Sequence, residues 1–240
     1  MNTNKNIALI FEVETSVKLL KYGLKEVQNL SGSNVFYYIA LFMLANGLER
    51  FMKSIIILNY YENNKSFPSR NIFNKGSAGH NLDVLLTQIL DDCFTGDYQN
   101  NIPAAKEDFY FIRSNSELRK ILNILSDFAE ADRYYNLNVV LDCVNKSKDP
   151  DAEFEKLKLF ILDQNPNIEK MIFDPKRSEE GYKLLYKTLI TFIERLVRAL
   201  SRLFTLGNLG DEAKTCSVYL SHFLFITDDK LGCSNYSTVK

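Results

Sequence analysis

"LFMLANGLERFMKSIIILN", residues 41–59, carries Leu41, Leu44, Leu48, Phe51, Ile55 and Leu58 at steps of three and four. That spacing lines one stripe of an α-helix and is unlike the alternation of a strand. Worked outward, the pattern predicts a long helix from about Asn34 to Tyr61. Upstream, Ile10, Val13, Val17, Leu20, Leu24 and Val27 keep the same period as far as "LSGSN", so the two segments are expected to run antiparallel as a hairpin. An isolated helix pair buries too little apolar surface to offset chain entropy, so both seams need further partners.

Those partners are legible downstream. "ENNKSFPSRNIFNKGSAG" (62–79) is polar, holds Pro68, Gly76 and Gly79, and reads as a loop. A third helix follows with Leu82, Leu85, Leu86 and Ile89 on one face. After an irregular stretch around "GDYQNNIP", Ser114 and Glu117 frame a capping box ahead of Leu118, Ile121, Leu122, Leu125 and Phe128. "NKSKDPD" (145–151), charged and proline-bearing, is the expected boundary. Beyond it, Phe154, Leu157 and Ile161 mark a short helix and Leu185, Leu189, Phe192, Leu196, Leu200 and Leu203 a long one, which "LGNLGD" stops. Asp211 is expected to cap a last helix through Cys216, Leu220, Phe223 and Ile226. The chain therefore reads as all-α: an antiparallel four-helix bundle in 1–144, a helical extension packed on it in 145–228, and a flexible tail in 229–240.

Composition narrows the function classes. The 240 residues are 46% hydrophobic and 25% charged with only five prolines, as in an ordinary soluble globular protein. A formal net charge of −1 gives no global pull toward nucleic acid or an anionic membrane, so any such binding needs a local patch. The longest apolar run, "VFYYIALFMLA", has 11 residues, short of the roughly 18 that mark a membrane span. No export leader is visible, and Cys93, Cys143, Cys216 and Cys233 are scattered without a C-x-x-C, which suits buried thiols in a reducing cytoplasm. H-E-x-x-H, paired E-x-x-H, P-loop, dinucleotide-binding and kinase patterns are absent, so no metal and no cofactor is expected.

The long hairpin, loop and third helix resemble the HEPN superfamily, helical bundles that bind nucleotides or cleave RNA. The resemblance is carried by "GLERFMKSIIILNYY" (47–61), whose Glu49 and Lys53 match an E-x-x-x-K on that family's second helix, and by "GHNLDVLL" (79–86), which is similar to its "GHDLxxLL". It covers roughly residues 34–138. It implies a four-helix bundle, often dimeric, and in active members a metal-independent ribonuclease whose signature is Arg, four to six residues, then His. That signature is missing here: nine residues separate Arg70 from His80, and the "LGNLGD" break separates Arg202 from His222. The resemblance therefore implies a non-catalytic interaction or nucleic-acid-associated module, of the kind found in stress or phage-defence systems. The alternative is a divergent endoribonuclease using His80 or His222 with an arginine from another helix or subunit. RNA cleavage without a metal requires an acid–base group within reach of the 2′-hydroxyl and a cation for the phosphorane.

The candidate contacts follow. Asn81 is a good N-cap and His80 precedes it, where unpaired helix amides favour capping or an anion. Glu49 and Lys53 are four apart, in the favourable order for a helical ion pair on a solvated face. Arg195, Arg198 and Arg202 form a ridge suited to phosphate, or simply a solvent-facing stripe with Glu194 beside it. Arg133, Tyr134 and Tyr135 could stack on bases or close a helix end. His222, beside Phe223 on an amphipathic helix, reads as a partly buried residue satisfied by a neighbour. A homodimer and an RNA or protein partner are the expected associations, with no membrane contact and a cytoplasmic location.

Overall fold

The structure, a computed structural model, describes residues 3–73, 79–143 and 147–238; Asn145 and Lys146 of the expected boundary lie outside them. Twelve α-helices and no strand occur among the described residues: α1 (Thr3–Gln28), α2 (Tyr38–Asn64), α3 (Leu82–Cys93), α4 (Gly96–Asn101), α5 (Pro103–Ser114), α6 (Ser116–Glu130), α7 (Tyr135–Val140), α8 (Pro150–Asp163), α9 (Pro166–Phe173), α10 (Ser178–Thr205), α11 (Asp211–Thr215) and α12 (Ser217–Leu224). None is long and apolar enough to cross a membrane.

The hairpin forms from α1 and α2, with 26 and 27 residues, and the predicted stripes are its buried seam: Val13, Leu20, Leu24, Leu48, Phe51 and Ile55 are all fully enclosed. Its closeness depends on Gly47, where a Cβ would stand 2.9 Å from Leu20 Cγ and 3.0 Å from the Leu20 backbone nitrogen. α2 ends at Lys65, whose left-handed backbone (φ 52°) lets its N–H close on the Tyr61 carbonyl at 2.7 Å. α3 and α6 pack on α2 and on each other, and the Ser126 hydroxyl accepts the N–H of Leu82 at 2.9 Å to fix where α3 begins.

The C-terminal half packs on helices of the first half. The 28-residue α10 packs against α1, α5, α8, α9 and α12, and its Phe204 ring lies parallel to Phe51 of α2 at 5.5 Å. The start of α2 is clamped in the same way: Tyr37 stacks on Phe154 of α8 at 4.2 Å and its hydroxyl donates to Asp151. One core cluster runs through both halves.

Several local expectations need correction. Ser114 does not cap α6; it ends α5, its hydroxyl donating to the Tyr110 carbonyl at 2.5 Å, and the cap is Asn115, which accepts the Leu118 N–H at 2.7 Å. The irregular stretch around "GDYQNNIP" holds α4 and leads into α5, and α9 occupies part of the punctuation between the two C-terminal helices. The last helix is two, divided at Cys216, and Asp211 does not cap it: Gly210 holds the cap position and Asp211, the first residue of α11, pairs with Lys214 at 2.8 Å. The tail is the largest correction. Through Thr238 it is a fastened strap with Tyr236 fully buried, since the strap's backbone finds its hydrogen-bond partners on α1 and α10.

Candidate functional site

Four of the residues singled out from the sequence meet in one place. Glu49 and Lys53 face the same side of α2, one turn apart, and form an ion pair of 2.7 Å. They are not on a freely solvated face, for their side chains keep only 15% and 23% of their exposure. His80 enters from the loop before α3, its Nδ1 lying 3.0 and 3.1 Å from the two Glu49 oxygens. Asn81 behind it caps α3, accepting the Val84 N–H at 3.1 Å. The cap thus fixes where His80 emerges, and α2 fixes what it meets.

A carboxylate can only accept, so Nδ1–H donates to Glu49, and the exposed ring turns its Nε2 edge to solvent. A histidine oriented in this way can hydrogen-bond a ligand. The cation beside it is committed: the Lys53 ammonium also lies over the Phe73 ring, 5.4 Å from its centre. Phe73 in turn walls a groove of about 300 Å³ together with Ile72, Val84 and Gln88. The neighbouring Arg50 is bonded to Glu12 of α1 at 2.9 Å, and the side chain of Arg70 lies outside the described residues.

The arginine ridge is not a solvent stripe. Arg198 is buried and donates to the Ile226 carbonyl at 2.8 Å and to Asp228. Arg202 is bonded at 2.7 Å to Asp108 of α5, which is itself buried. Arg195 lies over the Phe111 ring at 4.0 Å. Burial pushes the Asp108 carboxyl above the usual carboxylate range, while the hydrogen bond and charge of Arg202, then the charges of Arg198 and Arg195, pull it back. The ridge supplies counter-charge for a buried carboxylate. Arg133 likewise covers its own neighbour, 4.9 Å over the Tyr134 ring.

His222 follows the expected pattern. Its Nε2 lies 3.2 Å from the Tyr236 hydroxyl, which donates to Glu194 at 2.7 Å, so Nε2–H is the donor to Tyr236. Desolvation, then the charge of Lys21, holds the imidazole below its ordinary range. Glu194, expected beside a solvent face, is fully buried in α10. No hydrogen bond joins either imidazole to an arginine among the described residues. The burial of Asp108, the burial of Glu194 and the anchoring role of Tyr236 went unnoticed in the sequence. The signal that could have found the first two is a charged residue standing in register with an apolar stripe.

The chain matches no family model, no curated protein and no solved structure.

Proposed function

We propose that this protein is a non-catalytic, HEPN-like helical bundle that works as a protein-interaction module, in the manner of stress or phage-defence components. The observation that carries the reading is how the chemically able side chains are spent. His222 is fastened to Tyr236, and Arg198 and Arg202 answer Asp228 and Asp108. A phosphate-binding ridge needs guanidinium groups turned to solvent, and these are held within the fold. That favours a protein partner over RNA.

One observation favours the second reading, a divergent metal-independent ribonuclease. His80 is exposed and oriented by a carboxylate, as a general base would be. The cation such a base requires would have to come from outside the cluster, since Lys53 already serves Glu49 and Phe73. Mixed RNA incubated with the purified protein at low salt is expected to stay intact and unshifted in a native gel. Cleavage that disappears in a His80→Ala, His222→Ala double variant would establish the ribonuclease instead.

A further inference from the structure

Residues 232–236 are held chiefly by side chains of the helices beneath them. Between residues 227 and 238 only Gly232 and Tyr236 are buried, and residues 233–236 are not helical, so their backbone groups must find partners elsewhere. Side chains of the body supply two of them, while the Cys233 N–H closes on the Lys230 carbonyl at 2.9 Å. Gln28, the last residue of α1, donates through Nε2 to the Ser234 carbonyl at 2.5 Å and accepts the Tyr236 N–H on Oε1 at 3.0 Å. Glu194 of α10 accepts the Gly232 N–H on one oxygen and the Tyr236 hydroxyl on the other. One turn further along α10, Arg198 holds the Ile226 carbonyl. Gly232 is required, because at its φ of +73° a Cβ would stand 2.4 Å from Thr191 Oγ1.

This is the chemistry of peptide recognition. A side-chain amide reads one carbonyl and one N–H of a non-helical backbone, and an aromatic anchor fills a closed pocket. We infer that the groove between the end of α1, α10 and α12 is a binding site for a peptide that turns at a glycine followed four residues later by tyrosine, occupied in cis by residues 232–236. The strap holds by one aromatic anchor and a few polar bonds, so it opens at lower free energy than the helices beneath it. Opening of residues 232–236 uncovers Gln28 and Glu194, two polar groups that a partner segment of the same pattern would satisfy again. Partner binding is therefore regulated by competition with the chain's own C-terminal segment. The inference rests on the reading of the protein as an interaction module, and deepens it by naming the partner's chemistry.

The test is capture of a fluorescent peptide spanning residues 230–238, with Cys233 replaced by serine, by the full-length protein. Anisotropy is expected to show at least about tenfold tighter capture by a full-length Tyr236→Ala variant, whose own anchor is gone, than by the wild type. A peptide carrying Tyr236→Ala should not be captured. A folded Tyr236→Ala protein that captures nothing overturns the inference. If that variant does not fold, hydrogen exchange on the wild type decides: Gly232 and Tyr236 amides exchanging about a hundredfold faster than those around Ile193 sustain it, and amides as slow as α10 overturn it. RNA cleavage would overturn the functional reading without touching the peptide result, so the two failures are distinguishable.

Discussion

Arg202→Ala is expected to destabilise the protein by about 3–5 kcal/mol, measured as a lower urea midpoint. The cause is Asp108, whose side chain is 3% exposed and bonded to Arg202. Removing the guanidinium leaves a buried carboxylate without its hydrogen-bonded counter-charge, which costs more than the pair contributes. The effect depends on pH. Burial already raises the Asp108 carboxyl, and Arg202 is the foremost group lowering it, so the variant carboxyl rises further. A group whose folded value is raised loses stability as pH climbs through that value, so the deficit should be largest at neutral pH and shrink on acidification. Replacing both residues by leucine should recover much of the loss, since an apolar pair leaves no buried charge. An unchanged midpoint for Arg202→Ala would mean that the ridge faces water after all.

Phe51→Ala should cost a similar amount, about 3–5 kcal/mol, through the lost ring and the cavity it leaves. Phe51 is fully buried on α2 and lies parallel to Phe204 of α10, with 3° between the ring planes. The contact joins the hairpin to the C-terminal half, so both should loosen in one transition. Helix content followed by circular dichroism and packing followed by fluorescence of the 13 tyrosines should report the same midpoint. Two separated transitions would mean that residues 1–144 and 145–228 fold as independent units.

The legibility of the fold in the sequence varies with the chemistry of each segment. α1, α2, α3, α6 and α10 were visible because each carries an uninterrupted aliphatic stripe, and the stripe is what burial selects. α5 was missed because its inward face runs Ala105, Asp108, Ile112, and a carboxylate in that register reads as solvent-facing unless its partner, 94 residues away in sequence, is known. Glu194 was misplaced for the same reason. α10 buries two adjacent stripes, Leu185–Leu189–Leu196 and Tyr186–Ile190–Val197, and Glu194 falls in the second. The strap was misread because the sequence "DDKLGCSNYSTVK" is polar, and its order comes from side chains of α1 and α10 that no local pattern reveals. In the candidate site, the Glu49–Lys53 pair and the Asn81 cap were legible from spacing alone. The meeting of His80 with Glu49 depends on how α3 docks on α2, which is a property of the packed molecule.

If the protein is the non-catalytic module proposed, its two histidines fasten the fold and perform no chemistry. That reading is tested most directly by measuring RNA cleavage and the urea midpoint on the same preparations of the wild type and the His80→Ala, His222→Ala variant. Intact RNA is expected with both proteins, together with a lower midpoint for the variant, which has lost the bonds to Glu49 and Tyr236. Cleavage by the wild type that vanishes in the variant, with the midpoint unmoved, would contradict it.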